Sequence, residues 1–192
     1  MRIAILSPVW FPVPPTRYGG IEWIVSLLAE GLVGAGHDVT LFASGDSSTE
    51  AELVSIFDEA PSEMIGITQF ELRHALSCFE RAGDFDVIND HSGPLGIVLG
   101  GVVDTPVVHT VHGPLGGEPG LLYTSLGKVC PEVGLISLSM RSIASPTFWC
   151  VETVTSSGTS SSSSCLKERT AWIVAAGAAR SRKPCSRSQL SS

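Results

Sequence analysis

The sequence predicts an α/β protein built on a doubly wound parallel sheet with helices on both faces. Three observations lead there. The opening stretch, residues 2–39, reads as strand, long Pro-rich loop, amphipathic helix, glycine stop and second strand, a βαβ unit. Short apolar runs then recur between segments of helical period. Finally, the loops that follow three of those runs carry Gly19-Gly20, His91-Ser92-Gly93 and His112-Gly113. In an open parallel sheet, ligands bind outside the carboxyl ends of the strands, where these loops fall.

Arg2–Ser7 lacks clean alternation, as a strand buried on both faces should. Pro8, Pro12, Pro14 and Pro15 forbid a helix and hold the next segment extended. A helix begins near Gly20. Ile21, Ile24, Val25, Leu28 and Leu32 form its apolar face, Glu22 sits in its first turn, and Gly34 and Gly36 end it. Asp38–Ala43 is the second strand, and Ser44-Gly45-Asp46 turns the chain. Residues 49–60 and 63–82 read as helical, the second with a partial stripe of Phe70, Leu72, His74, Ala75 and Phe79. Phe85–Asp90 is a short strand, and Leu95–Leu99 starts a helix after the 91–94 turn. Pro106–Val111 is a strand ending in a glycine-rich loop, 112–117. Leu135–Ser139 is the last strand.

At 192 residues the chain is long enough for one domain with a sizeable core. No apolar run reaches the roughly 18 residues of a membrane span, and no secretory signal opens the sequence. The expected location is cytoplasmic. Five cysteines without a C-x-x-C pair read as free thiols. The net charge of −7 hides a split. Residues 1–139 carry 5 basic and 17 acidic side chains, whereas residues 140–192 carry 7 and 2. The acidic body argues against binding a nucleic-acid backbone.

Gly19-Gly20 before a helix would let the backbone approach a phosphate at the positive end of the helix dipole. A tight turn needing positive φ explains the pair equally well. The G-x-G-x-x-G fingerprint and the Walker A pattern are both absent, which weakens nicotinamide-enzyme and nucleotide-hydrolase readings. His109 and His112, with Asp90 or His91 as a third ligand, raise the question of a metal. Their odd spacing on a strand sends the two rings to opposite faces, so no metal site is expected. His112 beside Gly113 is the better candidate for hydrogen-bonding a polar ligand, the alternative being a loop histidine of no consequence. Asp90 and His91 are a cleft-wall pair or the polar end of a strand. Ser7, Ser92 and Ser139 lie near strand ends, but no G-x-S-x-G elbow exists to make one a nucleophile.

The run MRIAILSPVWFPVPPTRYGGIEWIVSLLAEGLVGAGHDVTLFASGDS, followed in order by DVINDHSGP, TPVVHTVHGPL and LISLS, resembles the N-terminal domain of family 4 glycosyltransferases. The resemblance covers residues 1–139. It implies a Rossmann-like, acceptor-side half of a GT-B fold. The implied activity is transfer of a glycosyl unit from a nucleotide-sugar donor to an acceptor, with retention of configuration and without a metal or other cofactor. By position, Gly19 and Gly20 match the loop that approaches the donor diphosphate. His112 matches the catalytic cleft histidine near the transferred sugar, with Gly113 beside it, and Asp90 and His91 match the cleft wall. Arg17 stands where a glycine is expected and Asn89 where a histidine is common. The resemblance implies no nucleic-acid partner and leaves room for peripheral membrane association of the intact enzyme; it does not specify an oligomeric state. The rival reading is a non-catalytic module of the same fold that holds a small ligand.

The family's donor-binding second domain has no counterpart in residues 140–192, which hold 14 serines and no sustained periodicity. This tail is expected to be poorly ordered and not a native domain. It also reads as a frameshifted second half. Serine codons TCN read two bases on become NTC, encoding Phe, Leu, Ile or Val, so Ser160–Ser164 would become an apolar strand. On that expectation the chain alone is an incomplete, inactive and aggregation-prone half-enzyme.

Overall fold

The sheet grows outward from its first strand. The computed structural model describes residues 1–113, 116–139 and 150–154. Strand β1 (Arg2–Leu6) is flanked by β2 (Asp38–Phe42) and β4 (Val87–Asp90), with β3 (Glu52–Val54), β5 (Val107–Val111), β6 (Gly134–Ser139) and β7 (Cys150–Val154) completing the order β3-β2-β1-β4-β5-β6-β7. The first six strands in sequence run parallel, and β7 is antiparallel to β6. Helices α1 (Gly20–Gly34), α2 (Thr68–Phe79), α3 (Pro94–Gly100) and α4 (Gly117–Val129) connect them. The Rossmann-like α/β architecture expected from the sequence is present.

Alternation along each strand feeds two cores. Ile3, Ile5, Val39, Leu41 and Val87 pack with Val25, Ala29 and Leu32 of α1. Ala4, Leu6, Phe42 and Ile88 pack on the other face with Ala75, Phe79 and Ile97 of α2 and α3. Each fully buried Ile or Leu contributes on the order of 1.5–3 kcal/mol. The anticipated α1 stripe is rotated. Val25 and Leu32 are buried, but Glu22, Ser26 and Ala29 complete the covered face, while Ile21, Ile24 and Leu28 lie at its margin.

Three expectations are corrected. Residues 49–60 are not helical. They contain β3, whose Val54 carbonyl accepts from Ala43 N–H, while the Glu30 carboxylate anchors Thr49 Oγ1 and the Glu50 N–H. Sheet-edge hydrogen bonds and this tether outweigh the local helical pattern. The helix assigned to 63–82 is shorter, Thr68–Phe79. Gly66 takes φ +87°, a left-handed value that separates the helix from a 3-10 turn at Ser62–Met64. Nor is Leu135–Ser139 the last strand, since Cys150–Val154 pairs against it. Ladder bonds to an open sheet edge favour a strand even where the sequence shows no sustained periodicity. The remaining expectations for 140–192 lie outside the described residues.

Register positions the site. Leu6 is aligned with Asp90, and Asp90 with His109. β1 lies between β2 and β4, so the chain reverses its direction of sheet growth at β1 and β4. That reversal is a topological switch point, where ligands enter such sheets.

Candidate active site at the switch point

A cleft of about 320 Å³ opens at the C-terminal ends of β1, β4 and β5, lined by Pro8, Trp10, Ile21, the 91–93 turn, His109, His112 and Tyr123 among others. Its floor is a polar array assembled from two adjacent strands.

Asp90, the last residue of β4, is fully buried. Its Oδ2 accepts from His109 Nδ1 at 2.6 Å. Its Oδ1 accepts from the Ser92 backbone N–H at 2.8 Å and from Ser92 Oγ at 2.7 Å. Three donors thereby satisfy a carboxylate that burial would otherwise penalise heavily. The carboxylate fills the space where a Cβ on Gly96 of α3 would stand, so α3 can seat here only with glycine at that position. Tyr123 of α4 stacks over His109, with centroids 6.1 Å apart.

His91 follows Asp90 and is 4% exposed. Its Nδ1 lies 2.7 Å from His112 Nε2. Burial, reinforced by the neighbouring His112 and His109, pushes the His91 pKa well below its ordinary range. Burial likewise lowers His112 to about 4, with Asp90 pulling the other way. Both rings are therefore neutral at pH 7. His109 and His112 do not act together as the two-histidine metal motif would require. Each pairs with a residue of the β4 end instead. Among the described residues no group of three His, Cys, Asp or Glu side chains is arranged to hold a metal ion.

The two glycines ahead of α1 differ. Gly19 sits at φ +144°, and a Cβ there would meet Pro15 and the Glu22 carboxylate within 2.8 Å. Gly20 has no such constraint, nor has Gly113, and a Cβ on either would point into open space. The first-turn N–H groups of α1 lack intrahelical acceptors, as at any helix start. Glu22 lies beside them. Its burial raises its carboxyl pKa, partly offset by a hydrogen bond from its own backbone N–H.

Of the residues the sequence points to, His91, His112 and Gly113 line the cleft, Asp90 lies buried beneath it, and Gly19 and Gly20 are not among the lining residues. Sequence reasoning assigned Tyr123, Trp10 and Ile21 no part in the site. Tyr123 lies on a helix that carried no motif, and Trp10 is fixed by a long-range hydrogen bond from its Nε1 to Glu71 Oε1 (3.2 Å). The sequence points to His109 only through a metal motif that its spacing disfavours, not as a hydrogen-bond partner of Asp90. The aligned register of β4 and β5 was the missing signal. Cys78 and Cys130 are free and buried, and burial pushes the Cys78 thiol up, so it is inert. Among the described residues no helix is long and apolar enough to cross a membrane.

Two solved structures similar to this chain share its fold. The C-terminal domain of the coenzyme A biosynthesis bifunctional protein CoaBC superposes with a TM-score of 0.53 at 11% identity, covering 91% of this chain and 90% of that one. The DNA/pantothenate metabolism flavoprotein from Streptococcus pneumoniae also gives 0.53, at 9% identity and 91% and 95% coverage. AviGT4, a glycosyltransferase involved in avilamycin A biosynthesis, is 29% identical over 59% of this chain and 32% of its own, with a TM-score of 0.36. This chain thus spans about a third of that glycosyltransferase. No curated protein matches it. The family model for Glycosyltransferase Family 4 matches residues 18–129, more than half of the chain and all of the glycine and histidine positions described above. The chain belongs to Glycosyltransferase Family 4.

Proposed function

We propose that this chain is the acceptor-side half of a retaining glycosyltransferase that uses a nucleotide-sugar donor and no metal or cofactor. The observation that carries the reading is the polar floor at the switch point, where His112 faces an open cleft and is backed by His91. Gly19 and Gly20 bring backbone N–H groups and the α1 dipole toward the donor diphosphate, stabilising negative charge as it leaves. His112 hydrogen-bonds the transferred sugar. His91 forms the cleft wall with Asp90 buried behind it, and Gly113 leaves the approach open. A second, donor-binding domain of comparable size supplies the remaining contacts, so this chain binds without turning over. The cytoplasm, where sugar nucleotides are made, is the proposed location, with the membrane surface reached only peripherally.

The test is protein-observed NMR with a panel of sugar nucleotides. Shift changes at Gly19, Gly20 and His112, abolished in His112→Ala, are the expected outcome. No change at any of the three across the panel would overturn the reading. Turnover of a donor by this chain alone would overturn its inactivity. A ligand of another chemical class, held in the cleft in preference to every sugar nucleotide, would favour a non-catalytic binding module.

A further inference from the structure

The His91–His112 contact determines which hydrogen faces the cleft. At 2.7 Å, one of the two nitrogens must carry a proton and the other a lone pair. Each neutral imidazole has a single N–H, so only two arrangements exist. In the first, His91 Nδ1–H donates to His112 Nε2. His112 then carries its hydrogen on Nδ1, and His91 Nε2 is a bare lone pair. In the second, His112 Nε2–H donates to His91 Nδ1, and the His91 hydrogen must sit on Nε2.

His91 Nε2 decides between them. It is sealed from solvent and has no hydrogen-bond partner. The second arrangement buries an orphaned N–H there, whereas the first buries only a lone pair. Orphaned buried donors are the rarer of the two in folded proteins. The same molecule repeats the preference elsewhere. His74 Nε2 lies 3.1 Å from the Ser7 carbonyl, an acceptor only, so its hydrogen is on Nε2 and its sealed, partnerless Nδ1 is the lone pair. His109 must direct its Nδ1 hydrogen to Asp90, and its sealed Nε2 likewise has no partner.

We infer that His91 is a positioning residue that locks His112 in the Nδ1–H tautomer, so that His112 presents the cleft with a hydrogen-bond donor. Nε2 of His112 is committed to His91, leaving Nδ1 of this half-buried, cleft-lining ring for a ligand. Two consequences follow for the site proposed above, on which this part of the inference rests. The ligand atom at His112 is an oxygen acceptor, such as a hydroxyl or an anionic oxygen, and not an ammonium or other pure donor. His112 also has no free lone pair, so it cannot remove a proton from an acceptor alcohol. Its role in transfer is to orient and polarise.

The experiment is a long-range proton–nitrogen correlation on the full 192-residue chain at pH 7, labelled with 15N-histidine and without ligand. Protonated and bare ring nitrogens resonate in separate regions, and the His112 signals are assigned by their loss in His112→Asn. The expected pattern is a protonated Nδ1 and bare Nε2 on His112. A protonated Nε2 there would overturn the inference, and the wild-type spectrum decides this without any folding variant. His91→Asn keeps an amide N–H near the Nδ1 position and should preserve the pattern. His91→Phe, or His91→Leu if the ring is not tolerated, removes the donor and should shift His112 toward its Nε2–H form. An unchanged pattern in that variant would overturn the positioning role. Because no ligand is present, failure to bind sugar nucleotides leaves this result standing. A wrong tautomer, conversely, leaves the glycosyl-transfer reading intact.

Discussion

Gly19 and Gly20 are neighbours in sequence and opposites in constraint. Gly19→Ala would place a Cβ against Pro15 and Glu22 at a φ of +144°. It is expected to destabilise by roughly 1–3 kcal/mol or more in urea unfolding. Gly20→Ala meets nothing and adds a better helix former, so stability should hold within about 1 kcal/mol while ligand binding at the loop weakens. Equal destabilisation by both would mean the pair is only a turn. Glu22 makes a second residue-scale case. Its folded pKa is raised by burial. The stability it contributes is therefore present at low pH and lost as pH rises through the folded value. Glu22→Gln should raise the Tm at pH 7, with the gain shrinking as pH falls; a gain independent of pH would refute the assignment. Gly19, Gly20 and Glu22 were visible in the sequence. Which glycine is obligatory was not, because that depends on the path of the Pro-rich loop.

At the scale of the element, α3 shows what close packing demands. Gly96 makes room for the Asp90 carboxylate, and just past the helix a Cβ on Gly101 would stand 2.7 Å from Cys130 Sγ. Gly101→Ala should cost about 1–3 kcal/mol by overpacking. A chemical-denaturation midpoint unchanged from wild type would show that the segment after α4 yields. The helix was recognisable from Pro94 and the apolar residues after it, but its glycines looked like punctuation. Residues 49–60 and Gly66 mark the opposite failure, where helical period over a short window lost to edge pairing with β2 and to a left-handed break. Local pattern decides an element when nothing nearby competes for its backbone hydrogen bonds.

Across the whole molecule, buried His74 and His91 and half-buried His112 stay neutral. Burial lowers His74 and His112 to about 4 and holds His91 well below its ordinary range. An unfolded histidine titrates near 6.5. The stability these residues contribute is complete above that value and falls as pH drops toward 4. For His74, at 1% exposure, full protonation would cost roughly 3 kcal/mol, from about 1.4 kcal/mol per pH unit. Urea unfolding between pH 7.5 and 4.5 should show this decline, and His74→Gln, whose amide can keep the bond to Ser7, should flatten it. An equally steep decline in that variant would assign the acid sensitivity to other groups.

Periodicity and punctuation were enough to establish the α/β class, the opening βαβ unit, the helix after Gly20 and the loops where ligands would meet the chain. These rest on local rules, the alternation of faces and the backbone freedom of glycine, which a linear string carries. The candidate site was legible as a set of residues, Asp90, His91, His112 and Gly113, but not as an arrangement. The bonding of Asp90 to His109 and of His91 to His112 depends on strand register and on Gly96 leaving space for a carboxylate. Those are relations between segments far apart in sequence, and they come into being only when the sheet closes around them.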